Sequence, residues 1–392
     1  MSWKDKTVEN QREEFVKRAL SHEKSKSELC REYGISRPTG DKWIKRFENG
    51  ESFSDKSRRP FHCANRIPLD EGLKIVEARK KEPAIGATKT RRMLQNEGWA
   101  NPPSISTINA VFKRNNLITK KASEDATPHK RFVKDNPNDM WQMDFKGDFE
   151  MKNGHRCFPL SIIDDCSRFC ICADAKENQQ FLGVKNSLTT AFQTFGMPFS
   201  ILCDNGVPWG SSQSTSITRL EVWLMELGIL TIHIRASHPQ TQGKVERFNG
   251  SYKRERLNFY IPKDLKDAQY TREAYRNFYN NIRPHASLNY DVPSKHYKPS
   301  KNIFVEDIKG WDYESGCEIR KIKSSGYLTF KGQGYYLSEG LGCKEVALFP
   351  SNSDGIFDIV FRQFRVAKLN LNTHTIISRR IYLYHDDPRI KV

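Results

Sequence analysis

The stretch HPQTQGKVERFNGSYKRE, His238 to Glu255, is the one on which the reading of the fold turns. Gln240, Thr241, Gln242 and Gly243 form a polar break that ends any preceding strand, and from Val245 onward the apolar spacing has helical period. On that helix Glu246, Asn249 and Lys253 fall at i, i+3 and i+7, so a carboxylate, an amide and an ammonium share one face. An acid and a base on one exposed stripe suit a metal ion and a phosphate together.

One carboxylate does not hold two divalent ions, so the reading needs acids upstream. Asp144 lies in WQMDFKGDFEM, where Trp141, Met143, Phe145 and Phe149 alternate with polar positions as in a half-buried strand. Asp204 lies in FSILCDNG, where the apolar run of Phe199, Ile201, Leu202 and Cys203 stops at a turn-forming Asn-Gly pair. Acids at strand ends and on a nearby helix can converge, and Mg²⁺ takes hard oxygen ligands while keeping part of its water shell. Two such ions about 3.5–4 Å apart flank a scissile phosphate, one at the attacking and one at the leaving oxygen. Taken singly, an Asp in a strand or before Asn-Gly is more often a turn or capping residue. Asp148 is a further candidate. Asp164 and Asp165, in SIIDDCSRF, are the second choice as ligands; they end an apolar run as a hairpin turn held by side-chain to backbone hydrogen bonds does.

WQMDF, CDNG and HPQTQGKVERFNGSYK, followed by NNIRPHASLNYDVPSKHY, resemble the retroviral-integrase-like core of DDE transposases over roughly residues 130 to 300. The helical N-terminal part resembles that of bacterial insertion-sequence transposases. The resemblance implies Asp144, Asp204 and Glu246 as the catalytic and metal-holding triad, two Mg²⁺ ions with Mn²⁺ able to substitute, and Lys253 and Asn249 as substrate-binding residues. It further implies double-stranded DNA as partner, both element ends and target, and a dimer or higher oligomer on that DNA. The spacing from Asp204 to Glu246 is several residues longer than in retroviral integrases, the excess falling in the polar run Gly210 to Thr218, where a surface insertion closes at little entropic cost.

Composition agrees. A formal net charge of +17 and a pI near 9.4 point to a polyanionic partner, and a mean hydropathy of -0.71 without a long apolar run argues against a membrane span. MSWKDKTVENQREEF lacks the pattern of a secretory signal. The nine cysteines include no CxxC pair, which argues against zinc and fits a reducing cytosol; Cys170 and Cys172 alternate in RFCICADA as small buried residues. With the bacterial resemblance this predicts a cytoplasmic, nucleoid-associated protein.

At 392 residues the chain is too long for one ordinary domain. Residues 1–50 read as a first helix-turn-helix domain. Phe15, Val16, Ala19 and Leu20 make one stripe, Leu29, Cys30 and Tyr33 a second, and Trp43, Ile44 and Phe47 a third; Gly34 turns the chain and Ser36 caps the next helix. Ser36 to Glu48 is then the recognition helix, with Arg37, Thr39, Lys42, Lys45 and Arg46 facing DNA. Residues 51–68 form a basic linker whose Arg58 and Arg59 suit phosphates or a minor groove. Residues 69–118 read as a second helix-turn-helix unit, with Leu69, Leu73, Ile75 and Val76 apolar and Ser104 or Ser106 capping a third helix. Residues 119–138 are a linker.

Residues 139–300 predict an α/β RNase H-like core. Three strands over 141–151, 155–163 and 168–175 form a meander; helices over 178–195 and 219–227 and strands over 199–203 and 229–234 follow, the Asp204 strand lying beside the Asp144 strand. Ala268 to Asn281 is an amphipathic helix whose Tyr270, Tyr275, Phe278 and Tyr279 pack in the core. Residues 301–392 predict short strands forming a small C-terminal β-barrel, with Arg320, Lys321, Lys323, Lys331, Arg362 and Arg365 as phosphate contacts.

The whole reads as a DNA transposase that hydrolyses a phosphodiester to expose a 3′-hydroxyl and joins it to target DNA by transesterification. The alternatives are a metal-dependent nuclease that cuts without joining, and a regulatory DNA-binding protein on an inactive core.

Overall fold

A computed structural model describes residues 7–56, 67–118, 133–145, 147–206, 208–210, 216–234, 242–378 and 381–384. They divide into two compact units, Met1–Pro68 and Leu69–Val392.

The first unit holds α1 (Val8–Leu20), α2 (Lys26–Glu32) and α3 (Arg37–Glu48). Thr7, Ser25 and Ser36 cap these helices, each accepting from the backbone N–H three residues on. Gly34, at φ +65°, makes the turn into α3. Phe15, Val16, Leu29, Cys30 and Trp43 form the core. Gly40 sits mid-helix because a Cβ there would stand 2.8 Å from Cys30 Sγ and 2.9 Å from Phe15 Cζ. Two of the apolar positions are not core: Leu20 and Phe47 are 44% and 43% exposed. Phe47 instead stacks on Phe53, centroids 6.1 Å apart, from a stretch with no periodicity to announce it.

The second unit begins with α4 (Leu69–Lys81), α5 (Ala87–Asn96) and α6 (Ile105–Arg114), the last capped by Ser104. Leu69 and Leu73, predicted as apolar contacts, are exposed. The packed stripe of α4 continues from Ile75 through Arg79 to Glu82, just beyond the helix end. Arg79 lies 5.0 Å over the Phe112 ring, and Glu82 takes a bidentate pair of bonds, 2.8 and 2.9 Å, from Arg256. Of the four predicted apolar positions Ile75 is fully buried and Val76 partly so, while polar Arg79 and Glu82 complete the docking face in place of Leu69 and Leu73.

The core comprises β1 (Met140–Phe145), β2 (Phe149–Glu150), β3 (Arg156–Asp164), β4 (Cys170–Lys176), α7 (Phe181–Phe195), β5 (Ser200–Cys203), α8 (Arg219–Glu226), β6 (Leu230–His233), α9 (Gly243–Tyr252) and α10 (Leu265–Asn281). Its sheet runs β2-β3-β1-β5-β6 with β4 on β3; β3 is antiparallel to β1, and β1, β5 and β6 are parallel. β1 is therefore central and buried on both faces, not half-buried. On one face Trp141 and Met143 pack with Val184, Leu188, Phe192 and Leu224. On the other, Ile163, Cys170 and Ala173 meet Val245, Phe248, Tyr252, Tyr275 and Tyr279, and Ile85 and Met93 of the preceding helices join that cluster. Tyr270 is 74% exposed and takes no part.

The C-terminal strands are β7 (Glu318–Lys321), β8 (Tyr327–Phe330), β9 (Gln333–Tyr336), β10 (Glu345–Pro350), β11 (Ile356–Phe361), β12 (Phe364–Asn370), β13 (Thr375–Ser378) and β14 (Tyr382–Leu383). Among the described residues they pair as an open sheet, β13-β12-β11-β10-β7 with β14 on β12, and a separate β8-β9 hairpin; no ring of hydrogen bonds closes the predicted barrel. The apolar face is covered in part by the core itself: Ile217, Val222, Met225 and Leu230 share one cluster with Leu328, Leu348, Ile359 and Phe364. Arg362 is a structural bridge, donating to the carbonyls of Glu226 and Lys309, at 3.0 and 2.8 Å. Arg320 pairs with Glu318 and Arg365 faces Asp358, while Lys321, Lys323 and Lys331 stay exposed.

Candidate functional site

Along β1 and β5 the Cα partners run Met140–Ser200, Trp141–Ile201 and Gln142–Leu202. Asp144 lies two residues further along β1, and Asp204 directly follows the last residue of the neighbouring parallel strand β5. Helix α9 is pinned over this point. Gln142 Oε1 accepts from the N–H groups of Lys244 and Val245, each at 3.2 Å, and Gln242 Nε2 donates to the Met143 carbonyl at 3.1 Å. These bonds engage N–H groups that the first turn of a helix cannot pair internally.

Asn249, one turn after Glu246, links helix to strand. Arg272 donates to Ser161 Oγ at 2.8 Å, so the Ser161 hydroxyl donates to Asn249 Oδ1 at 2.7 Å, and the Asn249 amide N–H is directed to Asp144 Oδ2 at 3.3 Å. Asp144 and Asn249 are buried, whereas Glu246 and Lys253 are exposed. Lys253 opens a π-helical turn, Lys253–Leu257, that extends α9.

Asp204 is half-buried, and its Oδ1 accepts from Gly206 N at 2.9 Å and from the Trp209 indole N–H. Beneath it His233 presents Nδ1 to the Asp204 carbonyl at 3.0 Å and Nε2 to Glu221 Oε1 at 2.8 Å. Burial disfavours a charged ring, but the neighbouring Cys203 sulfur and the Glu221 carboxylate outweigh it and lift the His233 pKa to about 11. Both ring nitrogens face oxygen acceptors, so these contacts favour the protonated ring. A raised folded-state pKa contributes stability that is complete below the unfolded value near 6.5 and is lost as pH rises toward 11. Calorimetry is therefore expected to show the melting temperature of the wild-type chain falling between pH 7 and 10, with a shallower fall in His233→Gln.

The second-choice acids have structural roles. Asp164 accepts from Asn138 N, Ser167 N and Ser167 Oγ at 2.6–2.8 Å, the turn its sequence context predicts, and burial still raises its pKa. Asp165 holds Lys134 N, Gln142 Nε2 and the Lys244 ammonium. Burial pulls Lys244 down to about 8 against the attraction of Asp165. Asp148 pairs with Arg156 at the surface.

The donor types suit a hard divalent cation: Asp144 stands on β1, Asp204 directly follows the neighbouring β5, and Glu246 rides on the helix that bonds to Asp144. Among the described residues, no three His, Cys, Asp or Glu side chains are gathered into a group that could hold a metal ion, so Asp144, Asp204 and Glu246 do not form such a group. The residues that hold the acids went unread in the sequence. Gln142 had a signal, since it shares the Asp144 face of a strand two positions away. Ser161, Arg272, Trp209 and the Glu221–His233 pair are made neighbours only by the fold.

In the first unit, Arg37, Lys42 and Lys45 are exposed on α3. Arg46 is committed elsewhere, lying 4.7 Å over the Trp43 ring and donating to the Ser54 carbonyl. Arg58 and Arg59 lie outside the described residues.

The central sheet, with helices on both faces and acids at the ends of β1 and β5, is that of an integrase core, and two family models described as integrase core domain match residues 134–239 and 227–293. A helix-turn-helix domain model matches residues 11–61, and the C-terminal domain of IS481 family transposases matches 317–377. Each of these matches covers part of the chain, which is similar to integrase cores over residues 134–293 and to helix-turn-helix and insertion-sequence transposase domains on either side. It is 30% identical to an uncharacterized protein of insertion element IS407 from Burkholderia multivorans, over 41% of this chain and 55% of that one. It is 26% identical to an uncharacterized protein of insertion element IS476 from Xanthomonas euvesicatoria, over 74% of this chain and 78% of that one. The match thus spans little more than half the length of the IS407 protein. A solved HTLV-2 integrase catalytic core domain in complex with magnesium shares 16% identity at a TM-score of 0.33, covering 42% of this chain and 99% of that one. No helix among the described residues is long and apolar enough to cross a membrane.

Proposed function

We propose that this chain binds the ends of a mobile DNA element, hydrolyses a phosphodiester to expose a 3′-hydroxyl, and joins that hydroxyl to target DNA, acting as a dimer or larger assembly because an element has two ends. The observation that supports the reading is that β1, which carries Asp144, and β5, which Asp204 directly follows, are neighbouring parallel strands, with α9 tied to Asp144 through Asn249. Asp144, Asp204 and Glu246 would hold two Mg²⁺ ions, which supply activation of the attacking oxygen and stabilisation of the leaving one. The protein's own part is to orient the carboxylates: Asn249 donates to Asp144 and Trp209 to Asp204. In joining, the new P–O bond to the 3′-hydroxyl forms as the bond to the target strand's 3′-oxygen breaks, so no covalent protein intermediate is needed.

The test offers the purified chain a duplex ending in a free 3′-hydroxyl, a supercoiled target and Mg²⁺. Joined product supports the proposal. Nicking without joining assigns a nuclease, and binding without either assigns a regulator on an idle core.

End binding is proposed to begin at α3. Changing Arg37, Lys42 and Lys45 together to Ala should weaken binding and reduce the slope of log K against log salt by about one for each phosphate that is no longer neutralised. Arg46→Ala should instead lower the melting temperature, because it strips a guanidinium from Trp43. Filter binding across a salt series separates the two effects.

A further inference from the structure

We infer that Trp209 is a positioning residue for Asp204, its indole N–H fixing one carboxylate oxygen so that the other is the atom offered to a divalent cation. The inference rests on the reading of Asp204 as a cation ligand. Trp209 is 2% exposed, and its ring stacks on Phe145 of β1, centroids 5.2 Å apart and planes 16° from parallel. Phe145 directly follows Asp144, so this aromatic pair ties the turn that follows Asp204 to the end of β1. The indole N–H and Gly206 N both donate to Asp204 Oδ1, and Oδ2 has no partner among the described residues. Tryptophan's single donor is usually paired when the ring is buried, and here it has a carboxylate. An outer donor of this kind sets which oxygen a ligating carboxylate presents, and its loss typically costs 10–100-fold in metal affinity.

Trp209→Phe keeps an aromatic ring against Phe145 and deletes the donor. The full-length chain is titrated with Mn²⁺, followed by electron paramagnetic resonance without DNA, beside wild type and Asp204→Asn. The expected result is Mn²⁺ binding about tenfold or more weaker in Trp209→Phe, with the melting temperature and DNA-end binding retained. Joining should then need correspondingly more Mg²⁺ yet approach the wild-type rate at saturation, a split that poorer packing alone does not produce. Unchanged Mn²⁺ binding in Trp209→Phe, while Asp204→Asn loses it, overturns the inference and leaves Asp204 as a ligand. Unchanged binding in Asp204→Asn sinks the underlying reading and the inference with it. If Trp209→Phe melts early, 3-benzothienylalanine at 209, which swaps only the N–H for sulfur, replaces it in the same titration and is judged by the same outcomes.

Discussion

Asp204→Asn is expected to abolish strand joining, by about a thousandfold or more, while leaving element-end binding intact. The size follows from losing a charged ligand in chemistry whose charge stabilisation amounts to several kcal/mol, each 1.36 kcal/mol being tenfold in rate. The local structure explains why the fold should survive. An Asn side-chain oxygen can still accept from Gly206 N and the Trp209 indole, the two donors now on Oδ1. Only the other oxygen changes, into an N–H₂ that cannot ligate a cation. Asp144→Asn should behave alike, since its oxygen can still accept from Asn249. Glu246→Gln is the sharpest of the three because the residue is exposed, so a loss of joining there reads as chemistry and not as unfolding. Gel analysis of joined and nicked products, beside a gel shift on the same DNA, measures both halves. Mg²⁺-dependent joining retained by Glu246→Gln would falsify its place in the triad.

Much of this arrangement is legible in the sequence because it depends on local signals. WQMDF and FSILC carry the alternation or apolar run of strands, CDNG ends a strand at a turn, and VERFNGSY has a helical stripe, so each acid's immediate setting follows from its neighbours. Ser36 and Ser104 cap helices as their positions predict. What escaped depends on contacts between distant residues. Whether β1 is half or fully buried is decided by α9 packing on its second face, and no residue of WQMDF announces that. The exposed Leu69 and Leu73 show the reverse case: of that apolar stripe only Ile75 is fully buried, and the rest of the docking face is supplied by Arg79, stacked on Phe112, and Glu82, paired with Arg256. The open C-terminal sheet has the same cause: its apolar face meets α8, whose residues lie a hundred positions upstream.

The second large effect concerns the π-helical turn that continues α9. Glu255 lies there, 6% exposed, held by Arg283 through two bonds of 2.8 and 2.7 Å and by the Tyr275 hydroxyl at 3.0 Å. Burial pushes the Glu255 carboxyl up, and the Arg283 bonds more than offset this, so its pKa ends below the ordinary range. Arg283→Met removes the partner and strands a buried carboxylate, which costs about 3–5 kcal/mol. Urea denaturation should show that loss at pH 7. A depressed folded-state pKa contributes stability that is present above the unfolded value near 4.5 and lost as pH falls through the folded one. The wild-type chain should therefore lose stability on acidification, and the single variant should lose less. Glu255→Gln combined with Arg283→Met leaves no stranded charge, so the double variant should be more stable than Arg283→Met alone. Because the pair clamps the C-terminal extension of the helix bearing Glu246, both singles should also reduce joining at temperatures where they remain folded. A double variant no better than the single would mean that Arg283 matters for packing against Tyr279 and not for pairing Glu255.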